Sequence, residues 1–117
     1  MTGVQTCALP ISYSPATHHL IGERELGRMQ PHATLVNIAR GGIVDDAALV
    51  RALRAGRPAA AGLDVFENEP SLNPDLLSLP NVALTPHIGS ATRSSRVGMA
   101  MLAAENLLAF EIGRAHV

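Results

Sequence analysis

The spacing of apolar positions changes several times along the chain, and the changes mark out alternating helices and strands. Gly22 to Met29 has helical character, with Ile21, Leu26 and Met29 roughly on one face, and Pro31 stops it. Leu35-Val36-Asn37-Ile38 follows as a short β-prone run. It is closed by Ala39-Arg40-Gly41-Gly42, where paired glycines permit a turn that a side chain would block. Asp45 or Asp46 is suited to cap the next helix, in which Leu49, Val50 and Leu53 form the apolar stripe before Gly56 closes it. Arg51, Arg54 and Arg57 complete its solvated, dipole-complementing end. Ala59 to Phe66, small and apolar until Asp64, predicts a fully buried strand. A polar loop, Glu67-Asn68-Glu69-Pro70, leads to a one-turn helix with Asn73 as cap and Pro74 at its first position. Pro80 ends that turn, and Val82 to Thr85 forms a third strand that delivers His87. Ser90 or Thr92 then caps a long helix with the stripe Val97, Met101, Ala104, Leu108.

Strands interleaved with helices predict the α/β class, a parallel sheet with flanking helices, here a truncated three-layer α/β/α arrangement. The ends of parallel strands lie along one edge of the sheet, so Arg40, Asp64 with Glu69 beyond it, and His87 can converge although distant in sequence. Singly, each has a plain explanation as a solvated arginine, a surface acid or a hydrogen-bonded turn histidine.

Composition narrows the possibilities. The chain has 117 residues, 47% hydrophobic and only 3% aromatic, with a formal net charge of −1. That fits one globular domain at most, with a core of Ala, Leu, Val and Ile, and lacks the basic excess expected for nucleic acid or a membrane surface. No apolar run is long enough to span a bilayer. The four methionines read as scattered core fillers. His18, His19 and His32 read as surface loop histidines, one of the first pair possible near a cofactor. No metal site is expected, since Asp45 and Asp46 are better explained as caps and no cluster with ligand spacing accompanies them.

Both ends of the chain read as non-native. Ile112-Gly113-Arg114-Ala115-His116-Val117, back-translated as ATC GGA AGA GCA CAC GTC, reverse-complemented and shifted by one base, encodes Thr6-Cys7-Ala8-Leu9-Pro10 and opens the codon of Ile11. The two ends therefore resemble one sequencing adapter read in opposite directions. Residues 1–11 and 111–117 are set aside on this ground, leaving 12–110 as the expected native piece, an internal fragment of a longer protein. The only cysteine, Cys7, goes with them, so no disulfide or thiol chemistry is expected.

Three segments carry a resemblance. Leu35 to Asp45, Gly62 to Pro70 (Gly-Leu-Asp-Val-Phe-Glu-Asn-Glu-Pro) and Asn81 to Thr92 (with Thr-Pro-His-Ile-Gly-Ser) closely resemble the D-isomer-specific 2-hydroxyacid dehydrogenases, in the same order and spacing. Within that family the stretch looks most like the glyoxylate/hydroxypyruvate reductase branch. The resemblance implies the C-terminal part of a Rossmann-type NAD(P)-binding domain, in a cytoplasmic enzyme that is homodimeric at full length. It implies hydride transfer between NAD or NADP and a small 2-oxo or 2-hydroxy acid, with Arg40 holding the substrate carboxylate and carbonyl oxygen through its charged fork. His87 would be the acid/base and Glu69 the residue that orients its imidazole and raises its basicity. Asp64, Ile38, Ala39, Arg40, His87 and Gly89 would lie on the nicotinamide side. The dinucleotide fingerprint Gly-x-Gly-x-x-Gly does not occur in the chain, and the resemblance places it upstream of Ser12, so the fragment alone is expected to be inactive. With its first strands absent, it is also expected to expose an apolar sheet edge and to associate. Two alternatives remain: a dehydrogenase-like corepressor that uses the cofactor as a sensor, and a formate-type dehydrogenase, for which Gln rather than Glu69 would be expected.

Overall fold

Local capping chemistry sets the helices. In the computed structural model, which describes residues 12–113, Asp45 caps the helix that follows it: its Oδ1 accepts from the Ala48 N–H at 2.8 Å. Asn73 does the same for a single turn, accepting from the Asp75 N–H at 3.0 Å with Pro74 in first position. Gly56, at φ +75°, supplies the left-handed residue after the second helix. The elements before His87 are α1 (Glu23–Arg28), β1 (Thr34–Asn37), α2 (Asp46–Arg54), β2 (Ala60–Leu63), α3 (Pro74–Leu77) and β3 (Val82–Leu84). The chain divides after His87, and the second unit holds α4 (Arg93–Glu111).

The three strands are parallel in the order β1-β2-β3, as the alternation of elements predicts. Leu35 lies opposite Ala61, Asn37 opposite Leu63, and Leu63 opposite Leu84. Alternate residues turn to one face, where Leu35, Ala61 and Leu63 pack with Leu26 of α1, Leu49 and Leu53 of α2, and Leu76 of α3. The other face stays open among the described residues of this unit: Val36 is 65% exposed and Ile38 73%. The Ala59–Phe66 run is therefore not buried throughout. Ala60 and Gly62 are only half-buried, because a parallel strand is enclosed on both sides only where helices cover both faces.

In the second unit Thr92, not Ser90, is the cap of α4, accepting from the Ser95 N–H at 3.2 Å. No residue of α4 is buried. The stripe Val97, Met101, Ala104, Leu108 has the expected helical spacing but lies exposed, since periodicity belongs to the helix and burial requires something packed upon it. The methionines follow suit: Met29 packs against the core, whereas Met99 and Met101 are exposed. No helix of the described residues is long and apolar enough to cross a membrane. Of the adapter-like ends, residues 1–11 and 114–117 lie outside the described residues, and Glu111 is the last residue of α4.

Leu49 is fully buried at the centre of the core. Leu49→Ala is expected to cost about 2–5 kcal/mol and Asp45→Ala about 1 kcal/mol, read as shifts in the urea midpoint at unchanged slope.

Candidate active site

The C-terminal ends of the strands carry the polar groups. At the end of β1, Asn37 is buried and shapes the turn: its Oδ1 accepts from the Ala39 N–H at 3.1 Å, and its Nδ2 donates to the Arg40 carbonyl at 3.2 Å. The turn then passes through Gly41 and Gly42. A methyl group on Gly41 would overlap the Phe66 carbonyl, and Gly42 adopts φ +77°. Arg40 is thereby presented on the surface, with Nη1 donating to the Ala39 carbonyl at 2.7 Å.

Beyond β2, Phe66 anchors the next loop. Its N–H donates to Glu69 Oε1 at 2.8 Å, so one oxygen of that carboxylate is spent on holding its own turn. The other, Oε2, accepts from His87 Nδ1 at 2.7 Å. This hydrogen bond is the main reason the Glu69 carboxyl lies below its ordinary value; burial opposes it, and the Phe66 N–H adds a lesser lowering. A carboxylate can only accept, so Nδ1 carries the proton and Nε2 is the nitrogen left for chemistry. His87 sits at φ +54°, a left-handed conformation directly after Pro86. Asp64, buried at the end of β2, accepts from the Thr85 hydroxyl at 2.6 Å. That bond ties the ends of β2 and β3 together beside the histidine.

Two cavities flank the Glu69–His87 pair. One, of about 550 Å³, is apolar and runs between Phe66, Leu72, Leu77 and Leu84. The other, of about 400 Å³, is lined by Arg40 together with Glu69 and His87. The three residues expected to carry the chemistry thus share one cleft. Ile38 and Ala39 lie at the adjoining end of β1, with Ile38 exposed, whereas Gly89 belongs to the second unit, in the turn that precedes α4.

Sequence reasoning passed over the supports. Asn37 had a local signal, an Asn ahead of a Gly-Gly turn. Thr85 and Asp46 had none, because their partners are long-range. Asp46 is not a cap: it is buried, and its Oδ2 accepts from the Glu67 N–H at 3.0 Å, tethering the start of the Glu69 loop. Burial raises its carboxyl above the usual aspartate value. His18 and His19, expected as surface loop histidines, stack on each other with centroids 3.8 Å apart. His19 Nε2 donates to Glu67 Oε1 at 2.8 Å.

A parallel sheet with polar residues gathered at the C-terminal ends of its strands defines an α/β domain of the kind that binds ligands beyond its strand ends. Residues 4–89 match the family model described as D-isomer specific 2-hydroxyacid dehydrogenase, NAD binding domain, and the chain belongs to that family. It is 58% identical over 105 residues to a glyoxylate reductase from Thermococcus gammatolerans, a match covering 90% of this chain and 31% of that protein. Among solved structures it resembles the NADPH-dependent glyoxylate/hydroxypyruvate reductase from Sinorhizobium meliloti in complex with NADP and malonate (TM-score 0.78, 45% identity, 83% of this chain and 30% of that one). It also resembles D-lactate dehydrogenase with NAD+ from Lactobacillus jensenii (TM-score 0.83, 32% identity, 91% of this chain and 36% of that one). The chain spans about a third of the length of the curated relatives it matches.

Because Glu69 is held below its ordinary value of 4.5, the stability it contributes is fully present above about pH 4.5 and is lost as pH falls through the lower, folded value. The side-chain carboxyl resonance of Glu69 should accordingly titrate below 4.5, and should move back up towards it in His87→Ala.

Proposed function

We propose that residues 12–110 are the native piece and form the C-terminal part of the coenzyme-binding domain of an NAD(P)-dependent reductase of small 2-oxo acids, with glyoxylate or hydroxypyruvate as substrate. The observation that carries this reading is the 2.7 Å Glu69–His87 hydrogen bond in a cleft shared with Arg40. A carboxylate behind a histidine, facing a permanent cation, is the donor set that a 2-oxo acid requires. Arg40 would pair with the substrate carboxylate in a planar fork, for which Lys is a poor substitute. His87, charged at Nε2 and steadied by Glu69 at Nδ1, would give a proton to the carbonyl oxygen and take it back in the oxidative direction.

The strand ends also fit the nicotinamide end of the coenzyme. The exposed Ile38 and the adjoining Ala39 offer a surface at the end of β1, and the Asp64 carboxylate stands at the end of the neighbouring strand. When bound, NAD(P)H supplies the hydride. The chain's own residues supply the proton, the charge and the orientation. The names of the relatives, glyoxylate reductase and glyoxylate/hydroxypyruvate reductase, support the substrate class. Cytoplasmic location and a homodimeric full-length enzyme rest on the family resemblance alone.

Turnover belongs to the whole reductase that contains this segment. There, His87→Ala is expected to lower kcat by about 10²–10⁴-fold with the coenzyme still bound, and Arg40→Lys to raise KM for the oxo acid. Hydroxypyruvate-dependent oxidation of NAD(P)H is the measurement. A full-length protein that binds NAD(P)H but shows no turnover, in the wild type as in His87→Ala, would replace this reading with a coenzyme-sensing corepressor.

A further inference from the structure

The loop before α1 and the loop after β2 meet in a cluster that the reduction reaction does not use. One donor atom each from His18, His19 and Glu67 lies within 4.8 Å of the other two. We propose that these three residues form a binding site for a divalent transition metal of the imidazole- and carboxylate-preferring class, such as Zn²⁺.

Three features support the assignment. First, the backbone brings two neighbouring imidazoles to the same side. Consecutive side chains of an extended chain point to opposite faces, but His19 is left-handed at φ +51°, and the rings stack with an interplanar angle of 24°. Second, each imidazole is backed by an oxygen on one nitrogen. The Tyr13 hydroxyl lies 3.3 Å from His18 Nδ1, and the Asp45 carboxylate 3.7 Å from His19 Nδ1. A metal at His19 Nε2 would displace the proton now shared with Glu67 and leave the ring proton on Nδ1, where the Asp45 carboxylate can move in to accept it. Third, His19 Nε2 and Glu67 Oε1 already face each other, 2.8 Å apart across a shared proton that an ion would displace. Donors about 2.0–2.2 Å from a tetrahedral metal stand roughly 3.3 Å apart, so this pair opens by about half an ångström to admit the ion. His18 also has to approach, and it is exposed and can rotate.

Two nitrogens and one oxygen leave a fourth position for water. With no thiolate among the ligands, the set suits zinc, nickel or copper rather than magnesium or calcium. Glu67 and Asp45 bring two negative charges to balance the ion. His18 and Glu67 also line the cleft that contains Arg40 and His87, so a bound metal would sit in the wall of that cleft.

The probe is Zn²⁺ alone, titrated into the 117-residue chain and followed by the ring resonances of each histidine. One equivalent is expected to shift His18 and His19 and leave His32 and His87 in place. His18→Ala and Glu67→Gln should each weaken binding by about tenfold or more, and Asp45→Asn, which keeps a helix cap, by about tenfold. His18 is exposed and Gln retains an oxygen for His19, so both variants are expected to keep the far-ultraviolet circular dichroism of the parent. Zn²⁺ that first shifts His32 or His87, or an affinity unchanged in both His18→Ala and Glu67→Gln, would overturn the site.

Discussion

The close approach of the β1–α2 turn to the main chain of Phe66 is the contact on which the arrangement depends. The Phe66 carbonyl occupies the space that a side chain at Gly41 would need, while its N–H holds Glu69. The backbone of one residue is therefore wedged against the loop that carries Arg40 and fixes the loop that carries the carboxylate. A glycine is the only residue that lets the two backbones come so near. Without that approach the arginine and the histidine–glutamate pair would not open on the same cleft.

Around it the polar groups of the strand ends satisfy one another in pairs. Asn37 fastens the Arg40 turn, Asp64 accepts from Thr85, Asp46 holds the Glu67 amide, and Glu69 divides its two oxygens between Phe66 and His87. Among the described residues no buried side-chain polar atom lacks a partner. That matters because a half-satisfied buried network costs more than an apolar core would. The proposed hydride-transfer role would draw on such mutual fastening, since in that chemistry the coenzyme provides the reactive atom and the protein provides position and charge.

The core is one-sided. Leu26, Leu49, Leu63 and Leu76 enclose one face of the sheet, while Val36 and Ile38 stay exposed on the other. In the second unit none of the apolar residues of α4 is buried. Both surfaces belong to a chain that spans about a third of its curated relatives, and both carry residues of a kind that ordinarily packs.

Much of this was legible in the residues themselves, because the signals are local. Asp45, Asn73 with Pro74, Thr92 and Gly56 each act within a turn of their own position, so the elements fall where caps and breakers place them. The parallel sheet followed from the alternation of those elements, and strand-end geometry made Arg40, Glu69 and His87 candidates for one site. What sequence alone did not reach is every property that depends on a distant segment. Periodicity shows that Val36 and Val97 have a face, but not whether anything covers it. Asp46 reads as well as Asp45 for a cap until Glu67, 21 residues on, claims its carboxylate. His18, His19 and Glu67 show no ligand spacing, because 48 residues separate the last two, and only the folded loops bring them together. Local stereochemistry determined the elements and their order; tertiary packing decided which faces are buried and which side chains meet, since burial and contact are properties of two segments at once.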